Sequence, residues 1–546
     1  MKYDIEKQLK QVMIDAVLKA FDYRIDENFV VIEIPKDTSL GDYATNVAMR
    51  LAKPLRKNPK VIAMEIIDKL DMKLVEAVNV AGAGFINIFI KQSVLASNIL
   101  RILQLQDDYG RSDMGQNQKI NLEYVSANPT GDLHPGHARG AAIGDSVARI
   151  MAFAGYDVLR EFYVNDAGNQ IHNMAKSLQA RYYQAFDLDV AVPEDGYHGD
   201  DLIEIAAALQ AEVKDAYLSD DLNEHVEAFK QYGLKAELDK IKADLHAFDV
   251  EFDVYSSEQA LRDQGLVEAA LARLQSLDMV YEADQALWLK TTLFDDDKDR
   301  VLRKSDGSYT YLLPDIAYHL DKINRGYAWM VDFLGADHHG YITRLKAAIE
   351  ALQVEATLEI DIIQMARMIK DGEEFKLSKR SGKSVALKEL IEIAGKDALR
   401  YYYASKASDT QMDLDLDMAS KQSNENPVYY AQYAHARVCS ILKVSDAYEM
   451  GTQLDDLVHP KEIELMKHLN EFVYVVEDTA LTRQPHKITN YIQKVAQLFH
   501  SFYGECHVLD ENNKHLSSQR LALVKAVKIT LANALSLIGV SAPESM

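Results

Sequence analysis

A chain of 546 residues is too long for one hydrophobic core and predicts about three or four domains. With 48% hydrophobic and 26% charged residues it has an ordinary soluble globular composition, which excludes disordered and fibrous classes. A net charge of -24 argues on its face against a nucleic-acid partner, since phosphate contacts need Lys and Arg, but a large acidic body can still present local basic surface.

The chain opens on Met1-Lys2-Tyr3-Asp4, with no basic-then-apolar leader, and has no run of about twenty apolar residues anywhere. A cytoplasmic protein with no membrane segment is therefore expected. Residues 1–110 are predicted to form a separate α+β domain. An amphipathic helix carries Ile5, Leu9, Val12, Met13, Ala16 and Val17, and a strand follows over 29–34. A helix then opens after Leu40-Gly41-Asp42, and a turn and strand cover 81–90. Gly110-Arg111-Ser112-Asp113 marks the expected linker.

The stretch from Lys119 to Ile150 carries the densest chemistry. Alternating Ile120, Leu122 and Tyr124 read as a strand, Ser126-Ala127-Asn128-Pro129-Thr130-Gly131 as a polar loop, and the small residues after His134 as a helix. Pro135 suits the first helical position, where a missing N–H costs nothing. His134 and His137 then share one face of a first turn whose free N–H groups and dipole attract phosphate. Gly136 leaves backbone open to a flat ring, and Gly136, Gly140 and Gly144 are expected to let the helix lie close on a sheet. A second strand over 156–164 and a polar turn at Asn165 continue a doubly wound parallel pattern, whose ligands sit beyond the carboxyl ends of strands.

Residues 177–297 read as a helical, acidic insertion whose charge runs are surface. A hairpin turn at 305–308 leads to a strand over Tyr309–Leu313, a helix from Pro314 containing Asp315, and a strand over 329–334 ending on Gly335-Ala336-Asp337-His338-His339. Adjacent strand-end histidines diverge, so no metal is expected there. A hairpin turning at Asp371-Gly372 delivers Lys376-Leu377-Ser378-Lys379-Arg380-Ser381-Gly382-Lys383, four cations in eight residues with the composition of a phosphate clamp. From Lys388 the chain is helical. Asp413-Leu414-Asp415 lacks the glycine and glutamate of a calcium loop. Cys439 and Cys506 alone cannot build a disulfide framework or a cysteine zinc site.

His134-Pro135-Gly136-His137 resembles the HIGH signature of class I aminoacyl-tRNA synthetases, and its flanks resemble the arginyl-tRNA synthetase version. Lys376 to Arg380 resembles the second class I signature, KMSKS. Gly41–Met49 and Gly84–Ile88 resemble the amino-terminal add-on domain that arginyl enzymes use on the tRNA elbow. Asp397-Ala398-Leu399-Arg400 is the DALR string of their anticodon-binding domain, and Asn426–Arg437 is similar to that domain too. The resemblance implies an α/β multidomain protein in three parts. These are an α+β domain over 1–110, a Rossmann-type catalytic domain over 111–387 with the insertion at about 177–297, and an all-α anticodon-binding domain over 388–546.

The reaction implied is ATP-dependent attachment of L-arginine to tRNA(Arg) through an adenylate, with Mg2+ accompanying ATP, no bound zinc, and a monomeric chain. The resemblance makes His134, His137, Lys376 and Lys379 catalytic. It assigns ATP to Asn128, Pro129, Thr130, Gly131, Gly136 and Ser378 together with those four residues. Arginine falls to Glu123, Asn128, Tyr311, Asp315, Asp337 and His338. The alternatives are another nucleotidyltransferase with an HxGH turn and a catalytically dead tRNA-binding paralogue; intact histidines and lysines weigh against the second.

Overall fold

The computed structural model describes residues 5–33, 35, 40–375, 385–445 and 448–546, with His339 described by its backbone alone. The amino-terminal domain packs the helices Ile5–Phe21, Val47–Leu55 and Pro59–Asp68 against an antiparallel sheet. Its strands are β1 (Ile32–Glu33), β2 (Tyr43–Thr45), β3 (Val75–Ala81) and β4 (Phe85–Ile90), in the order β1-β2-β4-β3. The strand expected over 29–34 is shorter, because Asp26 accepts the Phe29 N–H at 2.9 Å and coils Glu27–Phe29 into a 3-10 turn. The expected linker is a packed joint. Gly110 has φ 101°, a Cβ there would stand 2.4 Å from the Phe472 ring, and the Tyr109 hydroxyl donates to the Leu469 carbonyl at 2.5 Å.

The catalytic half grows outward from β5 (Lys119–Glu123) through β6 (Asp157–Val164) to β7 (Val254–Ser257). An antiparallel trio follows, β8 (Val280–Ala283), β9 (Ala286–Leu289) and β10 (Arg300–Arg303). The chain then returns to the other side of β5 as β11 (Trp329–Gly335) and β12 (Thr357–Ile363), giving the parallel order β12-β11-β5-β6-β7. The winding reverses between β5 and β11, so their carboxyl ends diverge into a crevice. Residues 177–297 are accordingly not a helical insertion alone. β7 lies within them as an edge strand of the main sheet, and residue 177 falls inside the Asn169–Gln184 helix. Val254-Tyr255-Ser256-Ser257, one apolar and one aromatic residue followed by two serines, carry no alternation to mark a strand from sequence.

Tyr309–Leu313 also departs from expectation. Only Tyr309 bridges, to Arg303, and the Leu312–Asn324 helix begins at once. Pro314 falls in its first turn, where backbone N–H groups have no intrahelical partner to lose. β13 (Ala366–Lys370) and β14 (Glu373–Glu374) form the expected hairpin. Asp371 and Gly372 both have positive φ, 53° and 76°, which matches the twist of a two-residue hairpin. β13 also pairs in parallel with β15 (Met412–Asp415) from beyond the Lys396–Ala404 helix. β15 lies inside the region expected to be all-α; beyond it the described chain is helical, ending in the long helices His486–Glu505 and Lys514–Leu537.

Of the three glycines spaced by four, only Gly144 lies against the sheet. A Cβ there would stand 2.3 Å from the Tyr124 ring at the end of β5, whereas one on Gly140 would meet nothing within 4 Å. Replacing Gly144 with Ala should therefore overpack this contact and destabilise the fold by about 1–3 kcal/mol, read as a lower urea midpoint, while Gly140→Ala should leave the midpoint near wild type.

Candidate active site

A cavity of about 910 Å³ occupies the crevice between the ends of β5 and β11. Glu123, Asn128, His134, Gly136, His137, Tyr311, Asp315, Asp337 and His338 all line it, as does Asn165. The chain thus brings most of the predicted residues to one place. Pro129, Thr130 and Gly131 do not line it. Pro129 is buried, and Gly131 faces Asp201 on the neighbouring helix Asp200–Val213. Lys376, Ser378 and Lys379 lie outside the described residues. Among the described residues no three His, Cys, Asp or Glu side chains are arranged to hold a metal ion.

The histidine pair is built by helix-capping geometry. His134 is the N-cap of the Pro135–Phe153 helix, and its Nδ1 accepts the Gly136 N–H at 3.1 Å. His137 reaches back, so that its Nδ1 accepts the His134 N–H at 3.3 Å, and the two rings stack with centroids 3.7 Å apart. Both Nδ1 atoms are therefore acceptors, which fixes the remaining proton of each neutral ring on Nε2. Burial lowers the basicity of both imidazoles, that of His137 to about 3, with His134 beside it adding to the effect. At neutral pH the pair presents two uncharged N–H donors at the positive end of a helix dipole.

The turn that leads into this helix is strained. Val125 and Ser126 have φ of 70° and 39°, a region that a β-branched residue rarely adopts and that costs on the order of 1–3 kcal/mol per residue. Ser126 offsets this by donating to Glu123 at 2.9 Å and accepting the Tyr163 N–H at 3.0 Å, which staples the turn to β5 and β6.

Beneath the cavity lies a buried ion network. The Lys322 ammonium, fully buried, donates to Glu123 at 2.6 Å and to Asp332 at 3.1 Å, and sits 4.3 Å from the Tyr318 ring centre. His319 donates from Nδ1 to the Asp315 carbonyl at 2.8 Å and from Nε2 to Asp332 at 2.9 Å. Two donated bonds make it an imidazolium, and although burial opposes the charge, Asp332 keeps its pKa raised. Burial would likewise raise Asp332, but Lys322 and His319 outweigh it and hold the carboxyl at about 2. Arg325 closes the set with a two-pronged contact to Glu161 at 2.7 and 2.9 Å.

Asp315 stands apart. One oxygen accepts the Tyr341 hydroxyl, and among the described residues no cation pairs with it. Burial pushes its carboxyl up to about 6, with the Tyr341 hydrogen bond pulling the other way. Tyr311, predicted beside it, caps the helix and is 78% exposed at the cavity mouth. Sequence reasoning missed His319, Lys322, Asp332 and Tyr341. The spacing Asp315, His319, Lys322 puts all three on one helix face, and Asp332 interrupts an otherwise apolar strand; either could have flagged the network.

A parallel sheet reversing at a crevice, with a capped HxGH helix start beside it, defines the core of a class I aminoacyl-tRNA synthetase. The model of the family "tRNA synthetases class I (R), catalytic domain" matches residues 98–441. "Arginyl tRNA synthetase N terminal domain" matches 4–90 and "DALR anticodon binding domain" matches 431–546. The chain is 50% identical to an arginine–tRNA ligase of Geobacillus thermodenitrificans over 551 residues, covering 99% of each chain. It is 51% identical to that of Shouchella clausii over 524 residues, covering 95% of this chain and 94% of the relative. The fold superposes on Thermus thermophilus arginyl-tRNA synthetase with a TM-score of 0.78 at 22% identity, over 99% of this chain and 100% of that one. The chain belongs to the arginyl-tRNA synthetase family.

The ion network makes a direct forecast. Lys322→Met leaves Glu123 buried without its cation and Asp332 with His319 alone, so stability should fall by about 3–5 kcal/mol. Urea unfolding followed by circular dichroism measures the loss, and Glu123→Gln in the same chain should recover part of it.

Proposed function

We propose that this cavity is where L-arginine and ATP react to form arginyl-adenylate, before the arginyl group passes to the terminal ribose of tRNA(Arg). The family's reaction is the ATP-dependent arginylation of tRNA. One observation carries the placement of arginine: Asp315 is a half-buried, cavity-lining carboxyl with no salt-bridge partner among the described residues, in a network where Glu123, Asp332 and Glu161 each have one. A guanidinium is permanently charged and is best held by a planar pair of acceptor oxygens. Glu123, already held by Lys322 and Ser126, forms the negative wall behind it, with Tyr311 at the mouth. Asn128, exposed at the rim beside Gln170, takes the amino end by family resemblance, with Asp337 and His338, which also line the cavity, as further partners.

The ATP phosphates face the two Nε2–H donors of His134 and His137, with Mg2+ arriving as part of the substrate. In-line attack of the arginine carboxylate on the α-phosphate needs positioning and stabilisation of charge more than covalent chemistry. Gly136 supports a flat slot for the base, since a Cβ there would lie 2.9 Å from the His134 ring and 3.7 Å from the Met365 sulfur. Family resemblance adds Lys376, Ser378 and Lys379 from the basic loop as further phosphate ligands. No described helix is long and apolar enough to cross a membrane, and we place the reaction in the cytoplasm with the chain acting as a monomer.

Charging total tRNA with each of the twenty amino acids in turn tests the assignment: arginine alone should be accepted, and acceptance of another amino acid, or of none, overturns it. Asp315→Asn should raise the arginine KM by about 2 kcal/mol, roughly 30-fold, with the ATP KM spared. In the wild type, kcat/KM for arginine should fall as pH drops below about 6, because arginine needs the ionised carboxylate. Tyr341→Phe removes a bond that holds the carboxyl down, so this limb should move to higher pH. Lys379→Ala should slow adenylate formation by about 100-fold or more in single turnover, since a donor aimed at transition-state charge is worth about 3 kcal/mol, while leaving arginine affinity unchanged.

A further inference from the structure

The loop between Gly131 and His134 is held from outside the parallel sheet, by the Val226–Ala247 helix. Lys240 on that helix pairs with Asp132 at 2.6 Å, and its ammonium lies 3.8 Å from Asp201 and 4.0 Å from Glu237. Glu237 is fully buried, and neither of its oxygens has a hydrogen-bond partner as a carboxylate. Asp132 stands two residues before His134. Between them, the Leu133 carbonyl accepts the Leu387 N–H at 2.7 Å, which joins this loop to the chain just beyond the basic segment. One lysine thus reaches the stretch from which both phosphate-binding segments depart.

We propose that Lys240 is a positioning residue for the nucleotide-binding loop, gripping Asp132 so that His134 and His137 face the phosphates, with Glu237 setting how firmly it grips. The inference rests on the reading of the cavity as the ATP site. Three carboxylates compete for one ammonium. While Glu237 carries its proton it is a neutral wall beside Asp201, and Lys240 is left to Asp132, the nearest of the three. Once it ionises, a second negative charge draws the ammonium inward and the grip on Asp132 slackens. Burial pushes the Glu237 carboxyl up to about 7, with Lys240 pulling it down and Asp201 and Asp132 pushing it up. The other charged groups at this face are Asp244, further along the helix, and Lys388, which acts on Asp244. The sign follows: the loop is held best below pH 7 and loosens above it.

Steady-state pyrophosphate exchange with the full chain and tRNA present tests this. Lys240→Met should raise the ATP KM by about three- to tenfold, the scale of losing one ordinary hydrogen bond, since the pair is partly exposed, and leave the arginine KM within about twofold. Asp132→Asn should do the same, and the double variant should be no worse than either single one, because the two residues act as a unit. Lys240→Arg should restore most of the loss. The ATP KM of the wild type should rise between pH 6 and 8.5, and Glu237→Gln should flatten that rise. An unchanged ATP KM in Lys240→Met, additive losses in the double variant, or an identical pH profile in Glu237→Gln would overturn the proposal. A wild type that charges no tRNA would instead overturn the underlying reading of the cavity, and matched melting temperatures separate loop positioning from general loss of fold.

Discussion

A single ammonium group holds the catalytic centre together. Lys322 comes from the Leu312–Asn324 helix and Asp332 from the middle of β11, the next element, while Glu123 comes from the end of β5, 199 residues earlier. β5 and β11 are also the strands between which the sheet reverses direction. Burying these charges costs several kcal/mol each unless every one is paired, so the network forms as a whole or not at all. Its pairing is close to complete, and that is why the exception matters. Lys322, His319 and Arg325 answer Glu123, Asp332 and Glu161, which leaves Asp315 to a tyrosine hydroxyl and to whatever cation enters the cavity. On the proposed placement of arginine, selectivity for a permanently charged substrate would follow from charge pairing in the floor as much as from the shape of the walls.

The nucleotide side is built on different physics, local in sequence. A capping box made by two histidines settles ring orientation, tautomer and charge together: each Nδ1 is occupied by a backbone N–H, and burial keeps the rings neutral. An imidazolium at a helix amino terminus would face the dipole's positive end and would repel its neighbour 3.7 Å away. Neutral donors avoid both penalties and can still stabilise charge as it grows on phosphorus. The turn before them is left-handed at Val125 and Ser126, and the bonds from Ser126 to Glu123 and Tyr163 hold it there. Since Glu123 is also a partner of Lys322, the turn before the histidines and the ion network share one carboxylate.

What was readable in advance divides along the same line. The histidine pair, the hairpin at Asp371-Gly372 and the parallel strands on either side of the first helix are short-range features, written in spacing and turn chemistry. Asp315 and Glu123 came from family resemblance, and nothing local distinguished them from strand-edge and helix-start carboxylates. Lys322 and Asp332 went unread because their meaning is a contact across 10 residues of turn and strand, and with Glu123 across 199. β7 went unread because a short edge strand of mixed polarity has no face to alternate. Gly136, Gly140 and Gly144 share a spacing but not a cause: one borders a ring, one opens on the cavity, and one lets the helix touch Tyr124.

The Pro135–Phe153 helix links the two kinds of structure and joins both to the helical carboxyl-terminal part. At its middle, Asp145 accepts from Arg400, which is itself fully buried and also donates to the carbonyls of Ile538 at 2.9 Å and Phe248 at 3.0 Å. Near its start, Arg139 is fully buried, has no carboxylate partner among the described residues, and donates to the carbonyls of Gln364 at 2.7 Å and Ala407 at 2.9 Å, with its Nε left unpartnered. A buried guanidinium held by two carbonyls tolerates little displacement, because each further lost bond leaves a charged group desolvated. The helix that begins at the two histidines, the Gln364 turn from which the hairpin springs and the segment after Arg400 are tied together by these bonds. The chain's acidic surface gives no sign of this joint, since its two cations are wholly inside.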